Sequence, residues 1–114
     1  MLKGLLKRFV GDRRTRLMNR YAPLVEQVKA CAETYRSLTD DDFPRLTGEF
    51  RQRLAAGETT DDLLPEAFGL VHEACRRHVG RTWNVVGHES RWEMVPFDVQ
   101  VAGAITLHEG TISE

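Results

Sequence analysis

The feature that most constrains this chain is a helical spacing of apolar residues in three consecutive segments. Over 12–37 the apolar side chains stand three or four positions apart, which places them along one face of an α-helix. The spacing recurs over 43–54 and over 64–79, and cap-forming residues precede both segments. A fourth helix is expected over 98–108. The sequence therefore predicts a mostly α-helical chain.

Single residues refine the predicted helix limits. Pro23 lies inside the first helical pattern, so it should kink or break that helix. Gly57 and Gly80 should end the second and third helices, with Gly80 as the C′ residue. Pro65 fits the first position of the third helix, and Asp98 fits the N-cap of the fourth.

Residues 81–96 have a different pattern. Trp83, Val85, Trp92 and Met94 alternate with polar residues, and this alternation indicates a short β-hairpin. Both tryptophans of the chain lie in this segment. Two interpretations remain open: the rings form an exposed contact surface, or they cover the helical core.

The first eleven residues combine positive charge with an apolar stripe. Their apolar residues have helical spacing, which predicts an amphipathic helix over 1–11. They contain no continuous apolar run of the kind that a secretory signal or a membrane span requires. The candidate membrane-binding residues are Lys3, Leu5, Leu6, Lys7, Arg8 and Phe9. The alternative is that the stripe packs on the chain's own helices or on a partner helix.

A net charge of −1 conceals an uneven distribution. Residues 1–20 carry seven basic side chains and one acid, whereas the rest carries nine basic and sixteen acidic side chains. A basic end on an acidic body favours an anionic partner for that end, such as a membrane surface. Nucleic-acid binding through the Arg-rich 13–20 stretch is disfavoured, because the acidic remainder would repel phosphate and no aromatic platform accompanies the arginines.

No complete catalytic constellation is visible in the sequence. It lacks a Gly-rich phosphate loop with lysine and a G-x-S-x-G motif. His72, Cys75 and His78 stand three residues apart, but the outer two point away from each other on a helix, so no metal site is predicted. Cys31 lies on an apolar stripe, which favours a buried structural thiol.

Three blocks carry a family resemblance and occur in order: MLKGLLKRFVGD, EFRQRLAAGETTDDLLPEAFGLVHEACRR and FDVQVAGAITLHEGTISE. They resemble segments of the SecA family of bacterial preprotein translocase motors. The resemblance implies a basic amphipathic helix over 1–11, a helical N-terminal region over 12–80 and a Trp-containing insert over 81–96, which departs from the family pattern. Residues 97–114 would begin an α/β helicase-like (RecA-like, DEAD-like) nucleotide-binding domain, truncated before its phosphate loop.

The resemblance also implies functional residues. The Phe-Asp-Val-Gln segment is similar to the Q motif of helicase-type motors, which implies that Gln100 contacts the adenine of ATP, with Phe97 and Met94 beside the base. Hydrolysis requires Mg²⁺ and a phosphate loop, so the chain alone is expected to be inactive.

The implied partners belong to the complete protein. They are the SecYEG channel, preproteins, anionic phospholipid on the cytoplasmic face of the inner membrane, and a second copy in a homodimer. The complete protein would thus be a cytoplasmic, peripheral membrane motor. The alternative, from a different functional class, is a non-enzymatic helical module that binds a membrane or a translocase partner.

Overall fold

The computed structural model describes Gly4 and residues 13–111. The rest of the predicted helix over 1–11 lies outside the described residues, and so do the six candidate membrane-binding residues. Of the segment 97–114, predicted to begin a nucleotide-binding domain, the last three residues also lie outside the described residues.

The described chain is mostly helical, as its apolar spacing predicted. A 22-residue helix comes first and continues into a 3₁₀ turn, Tyr35–Ser37. Two further helices, a hairpin and a last helix follow. The elements are α1 (Arg13–Thr34), α2 (Asp42–Ala55), α3 (Thr60–His78), β1 (Thr82–Val85), β2 (His88–Arg91) and α4 (Asp98–His108).

The helix limits bear on two predictions about proline. Of the kink or break predicted at Pro23, the break is absent, because α1 continues through this residue. Pro65 is not the first residue of α3, because α3 begins at Thr60. A reciprocal capping box sets that start: the Asp62 N–H donates to Thr59 Oγ1 at 3.2 Å, and the Thr59 N–H donates to the Asp62 carboxylate at 2.9 Å. The Thr59 N–H also holds the pKa of Asp62 below its usual value.

The predicted cap of α4 is also wrong by one position. Phe97 is the N-cap residue, and Asp98 is the first residue inside the helix. The Asp98 carboxylate instead lies 3.4 Å from Lys29 Nζ on α1. The predicted ends of α2 and α3 are confirmed: Gly57 and Gly80 follow those helices with φ of +108° and +90°.

The main core lies where α1 packs against α3 and α4. It consists of Tyr21, Val25, Val28, Leu64, Val101, Ala102 and Ile105. α1 and α3 approach each other closely at Gly69, where an added Cβ would lie only 2.6 Å from Cys31 Cβ. Cys31 therefore lies at the crossing of these two helices, but it is half-buried rather than fully buried as predicted. This partial burial raises the pKa of its thiol.

A buried ion-pair network joins α3 to the end of α1. Glu73 is only 1% exposed, and its carboxylate accepts hydrogen bonds from Arg76 at 2.6 and 2.8 Å and from Arg77 at 3.0 Å. The hydrogen bonds from Arg76, followed by that from Arg77, lower the pKa of Glu73 to about 2. Arg77 also donates to the Tyr35 and Leu38 carbonyls, at 3.1 and 2.6 Å. The network thus holds the 3₁₀ turn against α3.

The segment with alternating residues contains the antiparallel hairpin β1–β2, with Thr82 opposite Arg91 and Val85 opposite His88. Its turn residues, Val86 and Gly87, both have positive φ, of 51° and 79°. Among the helices of residues 13–111, none combines the length and apolar character needed to cross a membrane.

Candidate functional site

A cleft of about 360 Å³ separates α3 from α4. Its volume lies in the range of pockets for small molecules. Apolar side chains form most of its walls, and a few polar groups reach them. The lining residues are Phe68, Val71, His72 and Cys75 of α3, Trp92, Met94 and Pro96 of the connecting segment, and Gln100, Val101 and Ala104 of α4.

Gln100 is a polar residue of this cleft whose side chain makes a defined hydrogen bond. Its carboxamide oxygen accepts a hydrogen bond from the Phe97 N–H at 2.8 Å, so it satisfies one of the free donors at the start of α4. Among residues 13–111, its amide nitrogen donates no hydrogen bond. The capping bond orients the amide while a donor and a second acceptor lone pair remain available.

Met94 and Phe97, the other two residues expected beside the adenine base, differ in their position relative to the cleft. Met94 lines the cleft together with Gln100, and it is 63% exposed. Phe97 is 72% exposed and does not line the cleft. The structure therefore brings Gln100 and Met94 to one cleft, whereas Phe97, at the start of α4, is not part of its lining.

Trp92 is a cleft residue to which the sequence assigned no role in the site. Its indole Nε1–H donates to the Met94 carbonyl at 2.8 Å and to the Cys75 carbonyl at 3.1 Å. Its ring lies 6.1 Å from that of Trp83 and 6.2 Å from that of His78, between centroids. Trp92 and Met94 are two positions apart in a segment of alternating polarity. This spacing predicts that their side chains share one face, so it was the sequence signal that linked Trp92 to Met94.

His72 and Cys75 also line the cleft. They were considered only as metal ligands, and the part of the chain in the structure contains no cluster of three or more histidine, cysteine or acidic residues that could hold a metal. Burial raises the pKa of the Cys75 thiol, so the neutral thiol is favoured at this wall of the cleft.

Polar contacts at both ends of α4 fix the helix that carries Gln100. At its start, Asp98 lies 3.4 Å from Lys29 of α1. At its end, the Tyr21 hydroxyl of α1 donates to Glu109, and His108 contacts Asp61 of α3. These contacts, with the buried core, set the position of Gln100 relative to α3.

Comparison with known proteins identifies a family. Residues 6–114 match the model of the SecA DEAD-like domain. The chain is 47% identical to the protein translocase subunit SecA of Chlamydia trachomatis serovar D and 45% identical to that of Chlamydia muridarum, each over 113 residues. Each alignment covers 99% of this chain but 12% of the relative.

The chain thus spans about one eighth of the length of these curated relatives. No solved structure matches it. The family match confirms the resemblance carried by the three sequence blocks and agrees with the start of a helicase-like domain. Because the match extends over nearly all of its residues, the chain belongs to the SecA family.

Proposed function

We propose that this chain is the N-terminal part of an ATP-driven preprotein translocase and that Gln100 supplies its contact to adenine. The observation that carries this proposal is the position of the Gln100 carboxamide, which is held by its bond to Phe97 beside an apolar cleft that Met94 also lines. The family membership supports the translocase assignment, because the relatives are protein translocase subunits.

The chemistry of the carboxamide suits adenine. Adenine presents an N6 amino donor next to the N7 acceptor, and a glutamine amide offers the complementary acceptor and donor. The amide oxygen has two lone pairs, so it can keep its bond to the Phe97 N–H and also accept from N6. The Met94 side chain and the exposed Phe97 ring provide apolar surface for the faces of the base.

The remainder of the nucleotide would be bound elsewhere. Residues 13–111 would bind only the base, since they contain no group of three or more histidine, cysteine or acidic residues that could hold Mg²⁺. When bound, Mg²⁺ neutralises phosphate charge during hydrolysis, and its ligands would come from other parts of a complete protein. There, ATP hydrolysis would drive preproteins through the SecYEG channel.

Residues 1–11 would attach this motor to the membrane. Lys3, Lys7 and Arg8 would approach the anionic phospholipids of the cytoplasmic face, and Leu5, Leu6 and Phe9 would enter the interface as an apolar stripe. The excess of positive charge in residues 1–20 supports this proposal. The complete protein would then be a cytoplasmic, peripheral membrane protein.

The adenine contact is tested by Gln100→Glu in a full-length motor that begins with this sequence. Glutamate keeps the acceptor for the Phe97 N–H, so the start of α4 is retained, but it removes the donor to N7. We expect the KM for ATP to rise about tenfold, the effect of losing one good hydrogen bond. The matched control is Gln27→Glu, on the exposed side of α1.

An unchanged KM in Gln100→Glu would contradict the adenine contact. It would favour the alternative in which this region is a helical module that binds a membrane or a translocase partner. A rise in KM that occurred equally in Gln27→Glu would also contradict it, since the effect would then come from added negative charge alone.

A further inference from the structure

We infer that Trp92 is a positioning residue for the base: its indole N–H fixes the wall of the cleft that faces Gln100. This inference rests on the proposed adenine contact and assigns a role to the Trp-containing segment. The inference is about recognition of the adenine base and not about the binding or hydrolysis of the phosphates.

The indole N–H bridges two backbone segments. It donates to the Met94 carbonyl at 2.8 Å and to the Cys75 carbonyl at 3.1 Å. Cys75 belongs to the last turn of α3, and Met94 belongs to the segment that leads into α4. One donor therefore joins the last turn of α3 to the connecting segment that also lines the cleft.

The Cys75 carbonyl is available for this bond because α3 tightens at its end. The Val79 N–H, which would reach the Cys75 carbonyl in a regular α-helix, donates to the Arg76 carbonyl at 3.3 Å instead. The indole N–H satisfies the acceptor that is left. The bond thus also caps the end of α3.

The backbone of Trp92 is fixed independently of its side chain. Its N–H donates to the Arg81 carbonyl at 2.8 Å, and its carbonyl accepts from the Gly80 N–H at 2.9 Å. The hairpin is therefore closed at its base next to α3. From this fixed point, the indole reaches forward to the Met94 carbonyl.

Met94 depends on this support because its own side chain is poorly packed. It is 63% exposed, so contacts of the thioether do little to fix its position. The hydrogen bond to its carbonyl is the specific contact that holds it beside Gln100. Without the indole N–H, Met94 would shift relative to Gln100, and the base would lose the apolar surface against which it packs.

The test uses Trp92→Phe in the full-length motor that begins with this sequence. Phenylalanine keeps an aromatic ring and removes the donor. We expect the KM for ATP to rise about fivefold, as for a typical single hydrogen bond, with kcat retained. The preference for ATP over GTP should fall as well, which a purely structural role would not cause.

Trp83→Phe is the matched control, because the Trp83 ring packs 6.1 Å from Trp92 but its indole donates no hydrogen bond within residues 13–111. This variant should keep both the KM and the ATP preference. If Trp92→Phe does not fold, as judged by thermal melting, the test uses benzothienylalanine at position 92, which retains the indole shape and lacks the N–H.

The outcomes separate this inference from the proposed function. A folded variant at position 92 with unchanged KM and unchanged ATP preference, alongside a raised KM in Gln100→Glu, overturns the role of Trp92 and leaves the adenine contact intact. An unchanged KM in Gln100→Glu overturns the adenine contact itself. Equal effects of Trp83→Phe and Trp92→Phe also overturn the inference, because the N–H would then not be responsible.

Discussion

The carboxamide oxygen of Gln100 accepts a hydrogen bond from the Phe97 N–H at 2.8 Å. This bond gives Gln100 a structural role at the start of α4 in addition to the binding role proposed for it. The two roles respond differently to substitution, so they can be separated experimentally.

The structural role predicts a difference between two variants of the 114-residue chain. Gln100→Ala removes the acceptor for the Phe97 N–H and should lower the free energy of unfolding by about 0.5–1.5 kcal/mol, as for a typical hydrogen bond. Gln100→Glu keeps the acceptor and should stay close to the unsubstituted chain. Urea unfolding followed by circular dichroism measures both, and equal losses would show that the capping bond is not the cause.

Gly69 should not accept a larger residue without a shift of the helices around it. A Cβ at this position would lie 2.6 Å from Cys31 Cβ and 3.0 Å from the Val28 carbonyl oxygen and the Ala32 nitrogen. Gly69→Ala must therefore separate α1 from α3, and we expect a loss of about 1–3 kcal/mol in unfolding free energy.

Gly48→Ala is the control for this substitution. Gly48 lies within α2, and an added Cβ would meet nothing within 4 Å. Alanine there should stabilise the chain by about 0.5–1 kcal/mol through its higher helix propensity. The two substitutions should therefore shift the melting temperature in opposite directions, down for Gly69→Ala and up for Gly48→Ala. A neutral or stabilising Gly69→Ala would mean that α1 and α3 are further apart than described.

Glu73 should make the free energy of unfolding depend on pH in the acid range. The folded state lowers its pKa from 4.5 to about 2, so the unfolded chain takes up the proton first. The stabilisation is then complete above about pH 4.5 and is lost as the pH falls toward 2. The stabilisation from Glu73 is at most about 3–4 kcal/mol for a pKa shift of this extent.

Glu73→Gln should flatten that acid dependence when urea midpoints are measured from pH 2 to pH 6. Its stability at neutral pH should also fall, because Arg76 and Arg77 lose their buried partner. Glu33→Gln, at an exposed position of α1, serves as the control and should retain the acid dependence. An acid dependence that is the same in all three proteins would exclude Glu73 as its origin.

Val86 should be a site of local strain. Its φ of +51° is unfavourable for a β-branched residue, and positive φ at both central turn residues is typical of a type I′ hairpin turn, which prefers Asn-Gly. Val86→Asn should therefore stabilise the hairpin, which hydrogen exchange of the β1–β2 amides measures as increased protection. Reduced protection would contradict the turn geometry.

The sequence predicted the helices well because their stabilising contacts are periodic and local. Its errors arose where two local preferences competed. Pro65 suggested a helix start, but the Thr59–Asp62 capping box begins the helix five residues earlier, and proline is accommodated within it. At α4, Asp98 suggested a cap, whereas Gln100 supplies the side chain that bonds at the helix start.

The cleft was less accessible to sequence reasoning because its walls come from three separate segments. Family resemblance implied a contact to the base for Gln100, Phe97 and Met94, but nothing local indicates that Trp92 donates to the carbonyl of Cys75, seventeen residues earlier. The close approach of α1 and α3 at Gly69 was likewise not evident from the sequence, since it depends on how two helices that are separated along the chain cross each other.

The most direct test of the central claim is a structure of a full-length motor that begins with this sequence, bound to ADP. The account predicts that adenine N7 and N6 lie within about 3.2 Å of the Gln100 carboxamide nitrogen and oxygen, with Met94 against the base. A base bound away from Gln100, with its amide still engaged only by Phe97, would contradict it.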